Sequence, residues 1–475
     1  MRKARPFVNG IWLEDNREPM PVIGPYQGET VGVQFTADKN EVAQALEAAR
    51  LHKKKIANLS PAFRAKVLYR AAVLLEERKE EFAILIAKEV GKALKNTRDE
   101  VARSIETLQL SAEEAKRLFG ETLPGGASDR GTSSMALTFR IPVGVVAAIT
   151  PFNAPLNLIC HKIGPSFAAG NVTLLKPAPQ APLIATALVE LLLEAGMPVQ
   201  AIHMVLGGKE IGEQIVQDDR VNLVSFTGGV PGGRQISQTA GMKKALLELG
   251  GNAGTIVHQD ADVERAAAIC AKTGFSNAGQ SCISVQRIYV HEQIFLPFVE
   301  KLKHFTAALI VGNPEDERTD VGCVVNRQTA ERVKQWIDEA VAEGAELIHG
   351  GNVDGASIDP AILLKPKKRS KVVCQEVFGP VVSVLPYADL DEAIKDVNDS
   401  EFGLQAGIFS NSLEVIRKAA KELEVGGVIV NGSSNFRLDH WPYGGLKDSG
   451  IGREGPRFAA EEMTEMKMIV LQDFL

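Results

Sequence analysis

Short apolar runs alternate with helical segments between residues 140 and 248, and this pattern restricts the fold more than any other feature of the sequence. The runs are apolar throughout rather than at every second position, which indicates burial of both faces in a parallel sheet covered by helices. Because helical segments connect them, they predict a doubly wound, Rossmann-like α/β domain with its ligand crevice at the carboxyl ends of the strands. The predicted strands are 143–149, 171–175, 203–206, 222–226 and 245–248.

The loops that follow these strands should therefore lie at one edge of the sheet. In the loop after residue 226, Gly228 and Gly233 bracket a tight turn that opens a helix, where backbone amides can bind a pyrophosphate. The loop lacks the G-x-G-x-x-G dinucleotide pattern, so it is weak evidence on its own. The loops are 150–153, 176–180, 207–209 and 227–233.

The rest of the chain predicts a helical N-terminal part and a second α/β region. Ser60 before Pro61 is a typical N-cap within the helical residues 40–120. The apolar run 468–471 has nothing local to pair with, so we expect an edge strand that joins another subunit. Between about 250 and 430 the sequence predicts helices at 263–273, 296–309 and 328–343, and strands at 287–290 and 381–385.

The composition excludes several classes of function. A length of 475 residues predicts two or three domains, and a net charge of −6 argues against a nucleic-acid binder. The sequence contains no C-x-x-C or H-E-x-x-H motif, so no metal site is expected. No run approaches the roughly 18 apolar residues of a membrane span. Five cysteines without paired spacing fit a reducing compartment, and we expect a cytoplasmic protein.

The candidate catalytic residues are Cys282, Glu248 and Asn153. Cys282 lies among small polar residues that leave room for an electrophile. Glu248 ends a predicted strand and could activate water, although a surface carboxylate fits the same pattern equally well. The Asn153 amide could bind an oxyanion, although an asparagine between prolines more commonly forms a turn. The other cysteines lie in apolar or strand-like segments typical of a protein core: Cys160, Cys270, Cys323 and Cys374.

Seven segments together resemble the aldehyde dehydrogenase superfamily, and the resemblance covers nearly the whole chain. The family's organisation implies a cofactor domain at 1–118 and 140–249 and a catalytic domain at 250–430. It also implies an oligomerisation flap and tail at 119–139 and 456–475, with a linking glycine-rich region at 431–455. The segments are Thr150-Pro-Phe-Asn153, Leu174-Leu-Lys-Pro-Ala178, Phe226-Thr-Gly228, Leu247-Glu-Leu-Gly-Gly251, Gly279-Gln-Ser-Cys282, Glu376-Val-Phe-Gly-Pro380 and Tyr443-Gly-Gly-Leu-Lys-Asp-Ser-Gly-Ile-Gly-Arg-Glu-Gly455.

The resemblance implies NAD(P)-dependent oxidation of an aldehyde to its acid by a homodimer or homotetramer. Cys282 would attack the aldehyde, Asn153 would hold the oxyanion of the thiohemiacetal, and Glu248 would activate the water that hydrolyses the thioester. By the same resemblance, Lys176 would reach the adenosine ribose and Glu376 the nicotinamide ribose, while Lys162 receives no role. The full cofactor-binding set would be Thr150, Pro151, Phe152, Lys176, Ala178, Pro179, Phe226, Thr227, Gly228, Gly229, Gly233, Leu249, Glu376 and Phe378.

Departures from the family pattern bear on specificity. Members that prefer NAD usually carry a glutamate three residues after the lysine, where this chain has Pro179. Without that carboxylate a 2′-phosphate is not repelled, so NADP is favoured over NAD. Asn157, His161 and Arg437 predict a polar entrance suited to small hydroxy or anionic aldehydes, such as lactaldehyde, glycolaldehyde or succinic semialdehyde. Ser281 stands where members that use glyceraldehyde 3-phosphate have arginine, which argues against a phosphorylated substrate.

Other interpretations of the same residues remain open. Coenzyme-A-acylating members of the superfamily resolve the thioester with a thiol and typically lack the glutamate, so Glu248 favours hydrolysis. A non-catalytic binding relative would have no need of Cys282, Glu248 and Asn153 together. A hydrolase that pairs Cys282 with a histidine is the third possibility, but none of the eight histidines has a local signature that ties it to the cysteine.

Overall fold

The structure, a computed structural model, describes residues 2–13, 18–131 and 133–473. Among these residues, no helix combines the length and the apolar character needed to cross a membrane. The α-helices are Lys39–Ala57, Pro61–Glu77, Lys79–Val90, Leu94–Glu114, Asn157–Ala168, Pro182–Glu194, Lys209–Gln217, Val230–Thr239, Val263–Phe275, Phe295–Ala307, Arg327–Ala342, Lys371–Cys374, Leu390–Asn398, Leu413–Glu422 and Pro456–Glu462.

The predicted doubly wound sheet is confirmed. Its central strands are parallel to one another, and antiparallel strands cover both edges. Helices on both faces bury the strands Val145–Ile149 and Val172–Lys176 completely, which is why their sequences are apolar throughout. In spatial order the strands are Gly450–Ile451, Lys244–Glu248, Leu223–Thr227, Val145–Ile149, Val172–Lys176, Ile202–Met204, Phe7–Val8 and Ile11–Trp12.

A helical layer precedes the parallel strands of this sheet in the sequence and packs on the helices that cover one of its faces. Ser60 caps the helix Pro61–Glu77, as predicted, because its hydroxyl accepts a hydrogen bond from the Phe63 amide at 3.2 Å. The apolar face of that helix packs on Leu94–Glu114, which in turn packs on Asn157–Ala168. Asn157–Ala168 therefore links the domain core to the strand ends at which the site forms.

A second sheet with its own apolar core forms most of the remaining α/β region. All of its strand pairs are parallel except the pair of Glu346–His349 with Ala361–Leu364. Like the first sheet, it is covered by helices on both faces. The predicted strands and helices of this region are present, each within a few residues of its expected ends. In spatial order the strands are Glu346–His349, Ala361–Leu364, Val381–Tyr387, Arg287–His291, Gly254–Val257, Gln405–Phe409 and Gly427–Val430.

A small antiparallel sheet projects from the body of the protein and contains the C-terminal strand. Thr464–Leu471 pairs along its whole length with Met135–Pro142, which also pairs with Thr122–Pro124. The terminal strand has no local partner, as expected, because its partner lies more than 300 residues earlier in the sequence. It is an edge strand of this sheet, and its contact with another subunit stays a prediction. The preceding helix, Pro456–Glu462, packs on Asn157–Ala168 and Leu94–Glu114 and also contacts the C-terminal strand of this flap. Further short strands are Arg2–Ala4, Met20–Ile23, Thr30–Gln34, Val353–Asp354, Ser357–Ile358, Phe402–Gly403 and Leu446–Lys447.

Candidate active site

A cavity of about 810 Å³ contains Cys282 and several of the predicted residues. Asn153, Asn157 and Arg437 line it, as do two residues to which sequence reasoning gave no role, Arg103 and Tyr443. The elements that meet here are the end of the strand Val145–Ile149, the start of Asn157–Ala168 and the loop before the strand Arg287–His291. The predicted nucleophile and oxyanion donor are thus on one wall, with arginines facing the same space.

The loop that carries Cys282 is held by close backbone contacts. Asn277 and Ala278 adopt left-handed backbone angles, with φ of 51° and 52°, which non-glycine residues adopt at a cost. A Cβ atom added at Gly251 would lie 2.0 Å from the carbonyl oxygen of Cys282. A Cβ at Gly279 would lie 2.1 Å from the carbonyl oxygen of Gly379. Glycine is therefore required at 251, where another segment contacts Cys282, and at 279 within the cysteine loop itself. These close contacts leave the loop little freedom to move.

The sulfur of Cys282 contacts a tyrosine. Its Sγ atom lies 2.9 Å from the hydroxyl of Tyr443, and burial raises the pKa of the thiol to about 12. Cys282 keeps some exposure, while Cys160, Cys270 and Cys323 are buried as expected. The core assignment of Cys374 is wrong: it is exposed, at the end of the short helix Lys371–Cys374.

Asn153 lies against the cysteine loop. Its amide nitrogen donates to the Gln280 carbonyl at 3.0 Å, and its own backbone carbonyl accepts from the Asn277 side chain at 3.0 Å. An asparagine amide carries two hydrogens, so one remains for an oxyanion formed beside the sulfur. Asn153 thus holds the cysteine loop in place, and its role as an oxyanion donor stays a prediction.

Glu248 ends its strand in a buried place behind the cavity wall, not on it. Among the described residues its Oε2 atom has no hydrogen-bond partner. Burial, and then the charge of Glu454, raise the pKa of Glu248 well above its ordinary value. The carboxyl is therefore not the solvated surface group that the sequence also allowed, and its surroundings favour the protonated form.

Asp439 binds the polar residues that were predicted at the entrance. It accepts two hydrogen bonds from Arg103, at 2.9 and 2.7 Å, one from His161 at 2.8 Å and one from Asn157 at 3.3 Å. Burial opposes its ionisation, but the bonds from His161 and Arg103 outweigh this and hold the pKa of Asp439 below its usual range. The prediction for His161 is corrected: its ring is fully buried and does not line the cavity.

A second buried carboxylate continues this network. Glu454 lies 3.0 Å from Lys162 and 3.2 Å from Nη2 of Arg437. Burial favours its neutral form, but the charges of Lys162 and Arg437 outweigh this and lower the pKa of Glu454 to about 2. Lys162 also donates to the Ser225 hydroxyl at 3.0 Å. The lysine without a predicted role is therefore a buried counter-ion.

A separate cavity of about 430 Å³ lies at the carboxyl ends of the central strands of the first sheet. Thr150, Lys176, Ala178, Pro179 and Phe226 line it, in agreement with the predicted position of the crevice. The Thr150 hydroxyl is buried without a partner among the described residues. The helix Val230–Thr239 begins beside the cavity, but Pro231 carries no amide hydrogen and the Gly232 and Gly233 amides donate to the Gly229 carbonyl at 3.1 and 3.2 Å. An orphaned hydroxyl, the Lys176 amine and apolar walls fit a dinucleotide.

The remaining predicted cofactor residues lie outside the lining of this cavity. Glu376 accepts from the Gly251 amide at 3.1 Å, and burial raises its pKa to about 7. Phe378, with a φ of 48°, packs edge-on against Phe152 at a ring-centroid distance of 6.0 Å. Thr227 donates to Glu454 at 3.3 Å. Of the others, Gly233 lies within the helix Val230–Thr239, and the rest follow strand ends: Pro151, Gly228, Gly229 and Leu249.

Comparisons with known proteins agree with this geometry. The model of the aldehyde dehydrogenase family matches residues 12–469. The chain is 50% identical over 466 residues to a 3-sulfolactaldehyde dehydrogenase of Priestia aryabhattai, which covers 98% of this chain and 97% of that protein. Aldehyde dehydrogenase 21 of Physcomitrella patens, solved with its reaction product succinate, superposes with a TM-score of 0.97 at 36% identity, over 99% and 98% of the two chains. The NADP-dependent glyceraldehyde-3-phosphate dehydrogenase of Bacillus halodurans, solved with NADP, superposes with a TM-score of 0.97 at 35% identity, over 99% and 100%. The chain belongs to the aldehyde dehydrogenase family and is an NAD(P)-dependent oxidoreductase, as the sequence motifs predicted.

Proposed function

We propose that this enzyme oxidises a small aldehyde with a hydroxyl and an anionic group to the corresponding acid. The observation that carries the proposal is the pair of arginines, Arg103 and Arg437, on the wall of the cavity that contains Cys282. A relative that is 50% identical acts, by its name, on 3-sulfolactaldehyde, and a structural relative was solved with succinate. Both of those names point to anionic substrates or products of about three or four carbons.

Cys282 begins the reaction as the nucleophile. Its thiolate adds to the aldehyde carbon, and the free hydrogen of the Asn153 amide stabilises the oxyanion of the thiohemiacetal. A nicotinamide, when bound, would accept the hydride of the thiohemiacetal carbon, and that carbon would then remain on Cys282 as a thioester. Glu248 then takes a proton from water, hydroxide adds to the thioester, and the acid leaves as the cysteine thiolate forms again.

The arginines have hydrogen atoms available for the distal group of the substrate. Arg103 bonds Asp439 through Nε and Nη2, and Nη2 of Arg437 bonds Glu454. Among the described residues, neither Nη1 atom has a hydrogen-bond partner, and both arginines face the cavity. A sulfonate or carboxylate is a suitable acceptor, since charge-assisted bonds from arginine are among the strongest in proteins.

The adenosine end of the cofactor cavity supports NADP. Pro179 supplies no carboxylate there, and burial lowers the pKa of Lys176 to about 8, so this amine would gain from a phosphate partner. Lys209 lines the same cavity, although its amine pairs with Glu213 at 3.3 Å. We therefore propose that NADP is used at least as well as NAD.

The flap sheet suits the expected homo-oligomer. Met466, Met468, Val470 and Phe139 are exposed on it, and such a set of large apolar side chains is typical of a subunit interface. We propose that subunits associate through this sheet.

A substrate series with Arg103→Met tests the proposed substrate class. We expect 3-sulfolactaldehyde and succinic semialdehyde to exceed hexanal and benzaldehyde in kcat/KM. Arg103→Met should lower kcat/KM for the anionic aldehydes about 10–100-fold more than for propionaldehyde, because only the anion bonds the guanidinium, whereas the loss of a donor to Asp439 affects all substrates alike.

The matched control is Lys95→Met, which removes another positive charge from the lining of the same cavity. Lys95 already pairs with Asp320 at 2.6 Å, so its loss should change no substrate selectively. An equal loss for neutral and anionic aldehydes in Arg103→Met, or a preference of the wild type for hexanal, would contradict the proposal.

A further inference from the structure

The hydroxyl of Tyr443 is fixed beside the reacting sulfur. The backbone of Tyr443 exchanges two hydrogen bonds with Glu454, of 3.1 and 2.6 Å, and the residue is only 5% exposed. The guanidinium carbon of Arg437 lies 3.9 Å from the centroid of the tyrosine ring. The backbone and the ring are therefore both held, and the hydroxyl stays 2.9 Å from Sγ of Cys282.

The direction of this hydrogen bond follows from the chemistry of the pair. Burial raises the pKa of Tyr443 well above its ordinary value, so the phenol keeps its proton. A thiolate has no hydrogen to donate and can only accept. In the state that attacks an aldehyde, the tyrosine is thus the donor and the sulfur the acceptor.

We propose that Tyr443 is a catalytic residue that stabilises the Cys282 thiolate by donating a hydrogen bond to it. The inference rests on the proposed role of Cys282 as the nucleophile. The bond is strongest when the sulfur is charged, which occurs twice in the cycle: before attack on the aldehyde and when the thiolate leaves during hydrolysis. The hydroxyl thus stabilises the nucleophile in the first step and the leaving group in the last.

Alkylation of the free enzyme by iodoacetamide tests the proposal without any aldehyde. The rate at Cys282, measured by peptide mass spectrometry between pH 6 and 10.5, reports the fraction of thiolate. The thiol pKa of about 12 lies above this whole range, so in Tyr443→Phe we expect a reaction about 10–100-fold slower at each pH. Phenylalanine keeps the ring beneath Arg437.

The direction of the change in alkylation rate distinguishes a hydrogen-bonding role of the Tyr443 hydroxyl from a packing role. Tyr443→Phe removes an oxygen atom beside the sulfur. If that hydroxyl only filled space, the variant would be alkylated as fast as the wild type or faster, and either result would overturn the proposal. Tyr387→Phe is the matched control. The Tyr387 hydroxyl bonds His258 at 2.9 Å and does not contact Cys282, so this variant should be alkylated at the wild-type rate. Failure of the proposed substrate class would appear in the aldehyde series and would not alter this comparison.

Discussion

Glutamine at position 376 should stabilise the enzyme without cofactor and weaken its response to cofactor. Burial raises the pKa of Glu376 from 4.5 to about 7, so ionisation above pH 7 costs the folded state free energy. At roughly 1.36 kcal/mol for each pKa unit, the difference corresponds to at most about 3.4 kcal/mol, less where water reaches the partly exposed side chain. Glutamine avoids this cost and still offers an oxygen to the Gly251 amide.

The stabilisation by Glu376→Gln should depend on pH. Because the folded-state pKa is the higher one, the favourable contribution of Glu376 is complete below pH 4.5 and is lost as the pH rises through about 7. The free energy of unfolding of Glu376→Gln, minus that of the wild type, should therefore be near zero at pH 4.5 and reach its maximum above pH 7. Urea unfolding between pH 5 and 8.5, followed by tryptophan fluorescence, measures this difference.

Although Glu376→Gln should stabilise the enzyme without cofactor, it should weaken the binding of NADP. Ribose hydroxyls would donate to the ionised carboxylate, and charge-assisted bonds of this kind are worth about 1.5–3 kcal/mol. We expect Glu376→Gln to bind NADP about 10–100-fold more weakly, measured by the rise in melting temperature with cofactor.

Glu89→Gln is the control, since burial raises the pKa of Glu89 to about 8 and it accepts from the Leu183 and Ile184 amides away from both cavities. It should change stability but leave the NADP-induced shift unaltered. A Glu376→Gln enzyme with wild-type stability at pH 8.5 and a wild-type response to NADP would refute the reasoning.

Further changes test the base, the cofactor preference and the flap. Glu248→Gln should give one NADPH per active site in a rapid burst and then at least a 100-fold slower steady state; undiminished turnover would exclude Glu248 as the base. The wild-type rate of hydrolysis should rise with pH, because burial raises the pKa of Glu248 and only the deprotonated form accepts a proton. Pro179→Glu should lower the NADP-to-NAD ratio of kcat/KM at least 10-fold, and an unchanged ratio would contradict the role of that position. Met468→Asp should reduce the mass in analytical ultracentrifugation, and a wild-type mass would place the interface elsewhere.

The first sheet was predictable because its strands are buried on both faces. The sequence predicted 171–175 and 245–248, and the structure has Val172–Lys176 and Lys244–Glu248. The second sheet was predicted only in part. Gln405–Phe409 and Gly427–Val430 are short and contain glycine, which weakens the strand signal in the sequence. The partner of the terminal strand could not be predicted, because pairing across more than 300 residues leaves no local pattern.

Cys282 and Glu248 could be singled out from local features, since the glycines around them mark places where backbones approach closely, but their catalytic roles follow only from the family resemblance and stay predictions. The residues that shape the substrate cavity were not. Arg103 and Asp439 are 336 residues apart in the sequence, and His161 and Asp439 are 278 apart. A contact of this kind exists only in the folded chain, so no pattern around any one of these residues indicates it.

The burial of Asp439 explains why these residues occur together. An isolated buried carboxylate costs several kcal/mol, and the cost is offset only when donors surround it. Here the donors include His161, Asn157 and Arg103, and Arg103 also faces the cavity. An apolar side chain at 161 would remove a donor and leave the aspartate less well paired. The histidine, the aspartate and the cavity arginine therefore depend on one another, and the polarity of the entrance is a property of the set rather than of any single position.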